Sequence, residues 1–309
     1  MSSRPGHEVR QRPEAPSGPV LSVWTCRPRT EQAALREDGY LSATATDVDR
    51  MPPGIAAAAI TAFSRPGDWV CDPDCGAGTV LVEALRAQRH ALGRPRGRGW
   101  RSLARGNITA AQRAGALADG MLLSSHSPGW SRARTAGIAG QVRLVLTALR
   151  VHSNPASAVG VDAGVTRVAV ALARVVPLLH PDGHVIITVP PVRHSDGTVP
   201  DTAGPLLTAT HELGLIPVGR CVAVTAHVRG DRLYTRAGLD ERRAAHRAHR
   251  AGRTVCLAAH HDVWIFQPQH GVATHPSPAN PMRLDLGPTP PPEPTGSIGL
   301  AGAGRRAAS

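Results

Sequence analysis

The chain has 309 residues, enough for one α/β domain with a well-buried core or for two small domains, and we expect one. Its formal net charge is +12, and all of its basic residues are arginine. A basic chain often binds nucleic acid. Arginine here accompanies abundant alanine, glycine and proline, a composition typical of GC-rich coding, so charge alone does not establish nucleic-acid binding.

The cysteines exclude a disulfide framework and a cysteine zinc site, because none of the five lies in a C-x-x-C pair. We therefore expect a reduced, cytoplasmic compartment. No apolar run reaches the roughly 20 residues of a membrane span, and the Pro/Arg-rich N-terminus is unlike a signal peptide. The prediction is a soluble intracellular protein without a membrane partner.

Composition divides the chain into three parts. Residues 1–19 and 269–309 are dominated by Pro, Gly, Ser, Ala and Arg without an apolar period, which predicts disordered tails. Residues 20–268 form the predicted domain, in which short β-branched runs alternate with amphipathic stretches. This alternation indicates βα units on a mainly parallel sheet.

Seven strands and five helices are predicted in chain order. The strands are Trp69–Asp72, His90–Gly93, Gly120–Leu123, Val142–Thr147, His184–Val189, Ile216–Thr225 and Asp262–Phe266. The helices are Ile55–Phe63, Val80–Arg89, Trp100–Ala116, Val165–Leu179 and Ala203–Leu213. Pro181-Asp182-Gly183 is predicted to turn the chain from the fourth helix into the fifth strand.

A glycine loop joins the first strand to the helix that follows. Strand Trp69–Asp72 runs into Gly76-Ala77-Gly78, and an apolar helix begins near Thr79. Glycines at such a turn let the backbone approach a ligand closely and leave N–H groups free at a helix N-terminus. Two glycines alone are equally compatible with a tight turn that binds nothing.

The wider stretch from Arg65 to Ala84, RPGDWVCDPDCGAGTVLVEA, resembles the cofactor motif of DNA methyltransferases that act on the exocyclic amine of cytosine or adenine. Related RNA-guanine methyltransferases share this motif. The resemblance implies a Rossmann-like class I methyltransferase fold of about seven mainly parallel strands with helices on both faces. It also implies that S-adenosyl-L-methionine is the cofactor, bound at Asp72, Pro73, Cys75, Gly76, Ala77, Gly78 and Thr79.

Weaker similarity extends over residues 40–190. Met51-Pro52-Pro53 and the helix after it resemble the segment that packs over the cofactor, although Asp47 to Arg50 replace the family's His-Pro-x-Lys. Trp100 to Ile108 resembles the helix after the second strand, and Leu178 to Val189 resembles the fifth-strand region.

The chain departs from the family at two cofactor contacts. The second strand of such folds usually ends in an acid that binds the ribose hydroxyls, but Gly93 is followed here by Arg94. The family's acid for the adenine amine follows the third strand, where this chain has Ser124-Ser125-His126, with Asp119 before the strand.

The largest departure follows the fourth strand. The family places Ser, Asp or Asn there, then Pro-Pro and an aromatic, which hold and stack on the target base. This chain has Ala148-Leu149-Arg150-Val151, and Asn154-Pro155 is at best a shifted remnant. No catalytic residue is predicted, and with two Phe and two Tyr in the chain few side chains could stack on a base.

Three other features have alternative interpretations. The run Arg242 to Arg250 is either a phosphate-contacting arm or a solvated arginine-rich helix. In His260-His261-Asp262, adjacent strand residues point to opposite faces, so no metal site is expected. Cys75 is expected to pack rather than to act as a nucleophile, because the sequence shows no base positioned beside it.

Two functions are compatible with these observations. The first is methyl transfer to a base amine of nucleic acid, with DNA favoured over RNA. The second is a degenerate relative, a possible pseudoenzyme, that acts as a binding or accessory protein. The target base, the oligomeric state and the role of residues 229–253 are not predicted.

Overall fold

Eight strands form one sheet in the computed structural model, which describes residues 19–26, 35–124, 129–151, 158–193, 198–235 and 237–269. The strands are β1 (Val23–Thr25), β2 (Trp69–Asp72), β3 (His90–Gly93), β4 (Gly120–Leu122), β5 (Val142–Ala148), β6 (Leu179–Val189), β7 (Leu215–Val224) and β10 (His260–Pro268). Their order in the sheet is β1-β7-β10-β6-β5-β2-β3-β4. A separate hairpin pairs β8 (His227–Arg229) with β9 (Arg232–Tyr234).

The sheet is mainly parallel, and β10 alone among its described strands runs antiparallel to both of its neighbours, β6 and β7. Strand β2 lies between β3 and β5. The chain builds outward from β2 through β3 to β4, then returns to place β5 on the other side. The strand order therefore reverses between β2 and β5, and in open α/β sheets ligands bind outside the carboxyl ends of the strands at this switch point.

Seven α-helices with both ends among the described residues accompany the sheet. They are α1 (Pro53–Phe63), α2 (Thr79–Arg86), α3 (Gly97–Arg113), α4 (Gly129–Ala133), α5 (Ala158–Val175), α6 (Ala203–His211) and α7 (Leu239–Arg250). Two short turns of 3-10 helix span Ser42–Thr46 and Val176–Leu178, and a π turn, Arg134–Ile138, continues α4.

Two apolar layers cover the two faces of the sheet. On one face α1 and α2 bury Ile55, Ile60 and Leu81 against β2, β5 and β6. On the other face α5 buries Val168 and Leu172 against alternate residues of the same strands. Helices on both faces explain why the central strands are apolar on both sides. The Rossmann-like fold class expected from the sequence is confirmed.

All seven predicted strands and five predicted helices are present; β2 and β3 have the predicted bounds, and the other elements have a shifted end. Strand β6 starts at Leu179, so the predicted helix end at Leu179 is wrong, and α5 stops at Val175. Pro181-Asp182-Gly183 does not separate a helix from a strand. Val142 pairs with Leu179 and Leu144 with His184, so these three residues bulge out within β6.

Some elements were not predicted or cannot be compared. Strand β1 and the β8–β9 hairpin are additions, each strand three residues long. The described residues between 19 and 269 belong to one compact unit, and nearly all of the predicted tails lie outside the described residues. Within the described residues, no helix combines the length and apolarity needed to cross a membrane.

The packing of α5 predicts a contrast between two of its residues. Leu172 is fully buried and Val170 is 44% exposed. We expect Leu172→Ala to lower the free energy of unfolding by about 2–5 kcal/mol, since it leaves a cavity in the core. Val170→Ala is expected to change it by less than about 0.5 kcal/mol. Urea unfolding measures both, and equal effects would contradict the assigned face.

Candidate functional site

The glycine loop lies at the switch point of the sheet. It joins the carboxyl end of β2 to α2, and the carboxyl end of β5 lies next to it. Gly76 has φ +47° and Gly78 has φ +84°, left-handed backbone that favours glycine. Gly78 is the N-cap of α2 and provides no side-chain cap, so the helix begins with backbone donors directed at the loop.

Two side chains hold the backbone of the loop at Ala77. Its N–H donates to Oδ2 of Asp47 at 2.8 Å. Its carbonyl accepts a hydrogen bond from Nδ2 of Asn107 at 2.9 Å. Asn107 also donates to Oγ1 of Thr44 at 2.8 Å and accepts the N–H of Leu41 at 2.9 Å. The segment before α1 is thereby joined to the loop.

Arg150 extends from the end of β5 across the loop. Its Nη1 lies 2.8 Å from Oδ1 of Asp47, and its Nη2 lies 3.3 Å from Oδ2. Its Nε donates to the carbonyl of Asp74 at 3.2 Å. The fork of one guanidinium thus holds one carboxylate with two bonds and the loop backbone with a third. Sequence reasoning assigned Arg150 no role.

The charges of this group support each other. Burial by itself would lower the pKa of Arg150, but the hydrogen bonds that it donates to Asp47, together with the charges of Asp47, Asp74 and Asp72, raise that pKa above its ordinary value. The side chain of Asp47 is 2% exposed. An ion pair this deeply placed is costly to break by removing one partner, because the other charge is then buried without compensation.

The ion pair covers the face of the loop that a ligand would approach. A Cβ added at Gly76 would overlap Oδ2 of Asp47 and Nη2 of Arg150. Every residue from Cys71 to Val80 is buried. A cavity of about 210 Å³ remains beside the pair, lined by Gly76 and by Asp47, Trp100 and Arg150 among others. Sites for small molecules commonly have about 300–1,000 Å³.

The seven predicted cofactor residues are therefore placed in different surroundings. Gly76 lines this cavity, and Pro73 lines a neighbouring one. The buried residues Asp72, Cys75, Ala77, Gly78 and Thr79 line neither cavity. The Thr79 hydroxyl has no hydrogen-bond partner among the described residues.

The site suits the methionine end of the expected cofactor better than its ribose. The loop backbone and the start of α2 suit the polar methionine end of S-adenosylmethionine once the Asp47–Arg150 pair opens. The end of β3 does not suit a ribose, because Arg94 stands where a carboxylate is expected. Asp119 gives no substitute, since it lies before β4 and pairs with His90 at 3.5 Å.

Asp72 and Cys75 have raised pKa values. Burial raises the pKa of Asp72 to about 7, against the lowering effects of Arg150, the Asp74 N–H and Thr147. Burial, with the charge of Asp72, raises the pKa of the Cys75 thiol well above its usual range. A thiol with a raised pKa is a poor nucleophile, in agreement with the expected packing role.

The remaining sequence candidates lie away from the loop or outside the described residues. Residues 125–128 and 152–157, which include His126 and Asn154-Pro155, are not described. At the end of β5, Leu149 and Val151 are buried in the apolar layer under α5. The basic run forms α7, whose described residues are mostly exposed.

The histidine pair at the start of β10 shows no metal geometry. Asp262 pairs instead with Arg220 at 3.1 Å. Burial, with the charge of His260, lowers the pKa of His261 to about 4. Within the described residues, no group of three histidine, cysteine or acidic side chains is placed to hold a metal ion.

Comparisons with known proteins find similarity in structure only. No protein-family model matches the chain, and no curated protein sequence matches it. A TehB-like SAM-dependent methyltransferase from Corynebacterium glutamicum is 15% identical with a TM-score of 0.38, over 69% of this chain and 86% of the other. Geranyl diphosphate methyltransferase in complex with SAM is 13% identical with a TM-score of 0.42, over 80% and 96%.

A third solved structure, a putative RNA methyltransferase from Pyrococcus horikoshii, is 12% identical with a TM-score of 0.41, over 72% of this chain and 87% of the other. Likeness at this level gives no information about ligand or substrate. The site must therefore be interpreted from its own residues.

Asn107 is expected to be a stability determinant of the loop. Asn107→Ala would leave the Leu41 N–H and the Ala77 carbonyl without their partner in a buried region, and we expect it to lower the free energy of unfolding by about 3 kcal/mol. Gln112→Ala, at an exposed position of the same helix, is the matched control. Chemical denaturation of both variants tests this, and a loss in Asn107→Ala no greater than in the control would contradict it.

The raised pKa of Asp72 predicts a pH dependence of stability. Between its ordinary value of 3.8 and about 7, the folded protein holds a proton on Asp72 that the unfolded chain releases. The contribution of Asp72 to stability is therefore greatest below pH 4 and is lost as the pH rises to 7. We expect Asp72→Asn to match the wild type near pH 4 and to exceed it at pH 8. Urea midpoints across this range measure it, and parallel curves would refute the assignment.

Proposed function

We propose that the chain binds S-adenosylmethionine at the glycine loop and is a methyltransferase of nucleic-acid base amines. The observation that carries the proposal is the loop itself. Two left-handed glycines and an uncapped helix start lie at the switch point of a Rossmann-like sheet, where such sheets bind nucleotide cofactors. Gly76, Ala77 and Gly78 would hold the methionine end.

Binding at this loop requires the Asp47–Arg150 pair to open. The carboxylate of Asp47 accepts a hydrogen bond from the Ala77 N–H, so this backbone donor is already bonded to an anionic group of the protein. A ligand could use the donor only after Asp47 moves. When Arg150 moves, the face of Gly76 becomes accessible. The energy needed to separate the pair reduces the apparent affinity for the cofactor in proportion to the rarity of the open state.

The chemistry demands little acid–base machinery from the protein. A bound sulfonium cofactor supplies an already activated methyl group, so holding the acceptor in line with it supplies most of the catalytic effect. The cavity beside the loop is lined by three arginines, Arg96, Arg150 and Arg167, and by three carboxylates, Asp47, Asp49 and Asp74, so its charges are balanced and the choice of substrate rests on the resemblance of the loop. DNA is the first proposed substrate and RNA the second.

A second candidate function is cofactor binding without methyl transfer. It is favoured by the end of β5, where Arg150 is bonded to Asp47 and its neighbours Leu149 and Val151 face the apolar core. None of these side chains offers the acceptor that a target amine needs. In this case the chain is a binding or accessory protein.

Calorimetric titration with S-adenosylhomocysteine tests the cofactor site. We expect weak binding to the wild type and about tenfold tighter binding to the double variant Asp47→Asn/Arg150→Gln, in which neutral groups replace the ion pair and the shorter glutamine leaves the loop uncovered. Gly76→Ala is expected to abolish binding, since its Cβ would take the space above the loop. Absence of binding to both the wild type and the double variant would refute the cofactor proposal.

Transfer of a tritiated methyl group to DNA and RNA separates the two candidate functions. Incorporation that is lost in Gly76→Ala supports the methyltransferase. Binding of S-adenosylhomocysteine without incorporation into either nucleic acid supports the second candidate. Circular dichroism of each variant provides the control for folding.

A further inference from the structure

A second cavity, the arginine pocket, lies next to the glycine loop. It has a volume of about 290 Å³, and its lining includes Arg94, Arg96, Arg167 and Arg174 with a single carboxylate, Asp74. Arg96 and Arg167 also line the cavity beside the loop. The two cavities are therefore neighbours at the carboxyl edge of the sheet.

The arginine pocket is built by separate elements rather than by one basic run. Arg94 follows β3 directly, and Arg96 is the N-cap of α3. Arg167 and Arg174 lie on α5, on the other side of the pocket. Arg94 and Arg167 are half-buried, Arg96 and Arg174 are exposed, and all four line the same cavity.

The only carboxylate in the lining is already engaged. Oδ2 of Asp74 lies 2.6 Å from Nη2 of Arg96 and 3.6 Å from Nε of Arg150. Its charge is thus shared between two guanidinium groups. The pocket keeps an excess of positive charge, which an anion would compensate.

The pKa of Arg94 also reflects the positive charges beside it. Burial and the positive charges of Arg174 and Arg96 lower the pKa of Arg94. The negative charge of Asp74 raises it in part. Like charges held together by a fold reduce stability, and a bound anion relieves the repulsion. The arrangement is typical of a binding site rather than of a stabilising network.

The position of Arg94 indicates the chemistry of the anion. At the end of the second strand of a nucleotide-binding sheet, a carboxylate receives the ribose hydroxyls, whereas an arginine accommodates a phosphate on the ribose. The planar guanidinium fork also matches phosphate oxygens in pairs. We propose that the arginine pocket binds a phosphoryl group of a nucleotide ligand. This inference goes beyond the proposed function and does not require S-adenosylmethionine.

Calorimetry without S-adenosylmethionine tests the proposal. The ligands are adenosine diphosphate, adenosine as the uncharged comparison, and a short single-stranded DNA, since the phosphoryl group could come from a free nucleotide or from a strand. The variants are Arg94→Gln and Arg174→Gln. Arg113→Gln, which removes the same charge from an exposed position at the end of α3, is the matched control.

We expect binding of the diphosphate but not of adenosine, with affinity reduced roughly tenfold in each pocket variant and unchanged in the control. Binding of the DNA alone, with the same pattern among the variants, supports the pocket and assigns the phosphoryl group to a strand. Absence of binding to all three ligands overturns the proposal, as does an equal loss in Arg113→Gln.

Discussion

The ion pair between Asp47 and Arg150 is the interaction on which the candidate site depends. It joins three segments that are distant in sequence: the stretch before α1, the glycine loop and the end of β5. Because Asp47 also accepts the Ala77 N–H, the same carboxylate balances a guanidinium and satisfies a backbone donor. The buried state of the loop follows from these contacts. A charge left alone at this depth would be costly, so the three segments hold their positions together.

This arrangement places two opposing demands on one residue. At the end of β5, a methyltransferase needs a polar acceptor and room for a base, whereas Arg150 fills that region and closes the loop. The same side chain donates a hydrogen bond to the loop backbone at the Asp74 carbonyl. Any ligand of the loop must therefore bind an open state that the protein disfavours. The measured affinity of such a ligand is lowered by the free energy needed to open the Asp47–Arg150 pair.

Much of the fold could be predicted from the sequence, because local patterns determine it. Runs such as Val185 to Val189 marked the central strands, and the glycine loop marked the first βα unit. The Asp47–Arg150 pair could not be predicted, since its partners are 103 residues apart and meet only when β5 lies beside β2. The role of Asn107 in holding the glycine loop could not be predicted for the same reason, since its partners Leu41, Thr44 and Ala77 are distant in sequence. The sequence predicted a helix-to-strand turn at Pro181-Asp182-Gly183, where the structure has a bulge within β6. These residues favour a change of chain direction in either setting.

Strand β1 has a consequence for how the molecule assembles. Val23 pairs with Val222, and the three-residue strand covers the outer edge of β7 over its last three residues, Val222 to Val224. Residues so distant in sequence pair only after most of the chain has become compact, since closing a long loop is entropically costly. Until then β7 presents a row of unpaired backbone groups, the kind of edge on which one chain recruits another. The edge of the sheet is thus a point where folding and self-association compete, far in the strand order from the glycine loop.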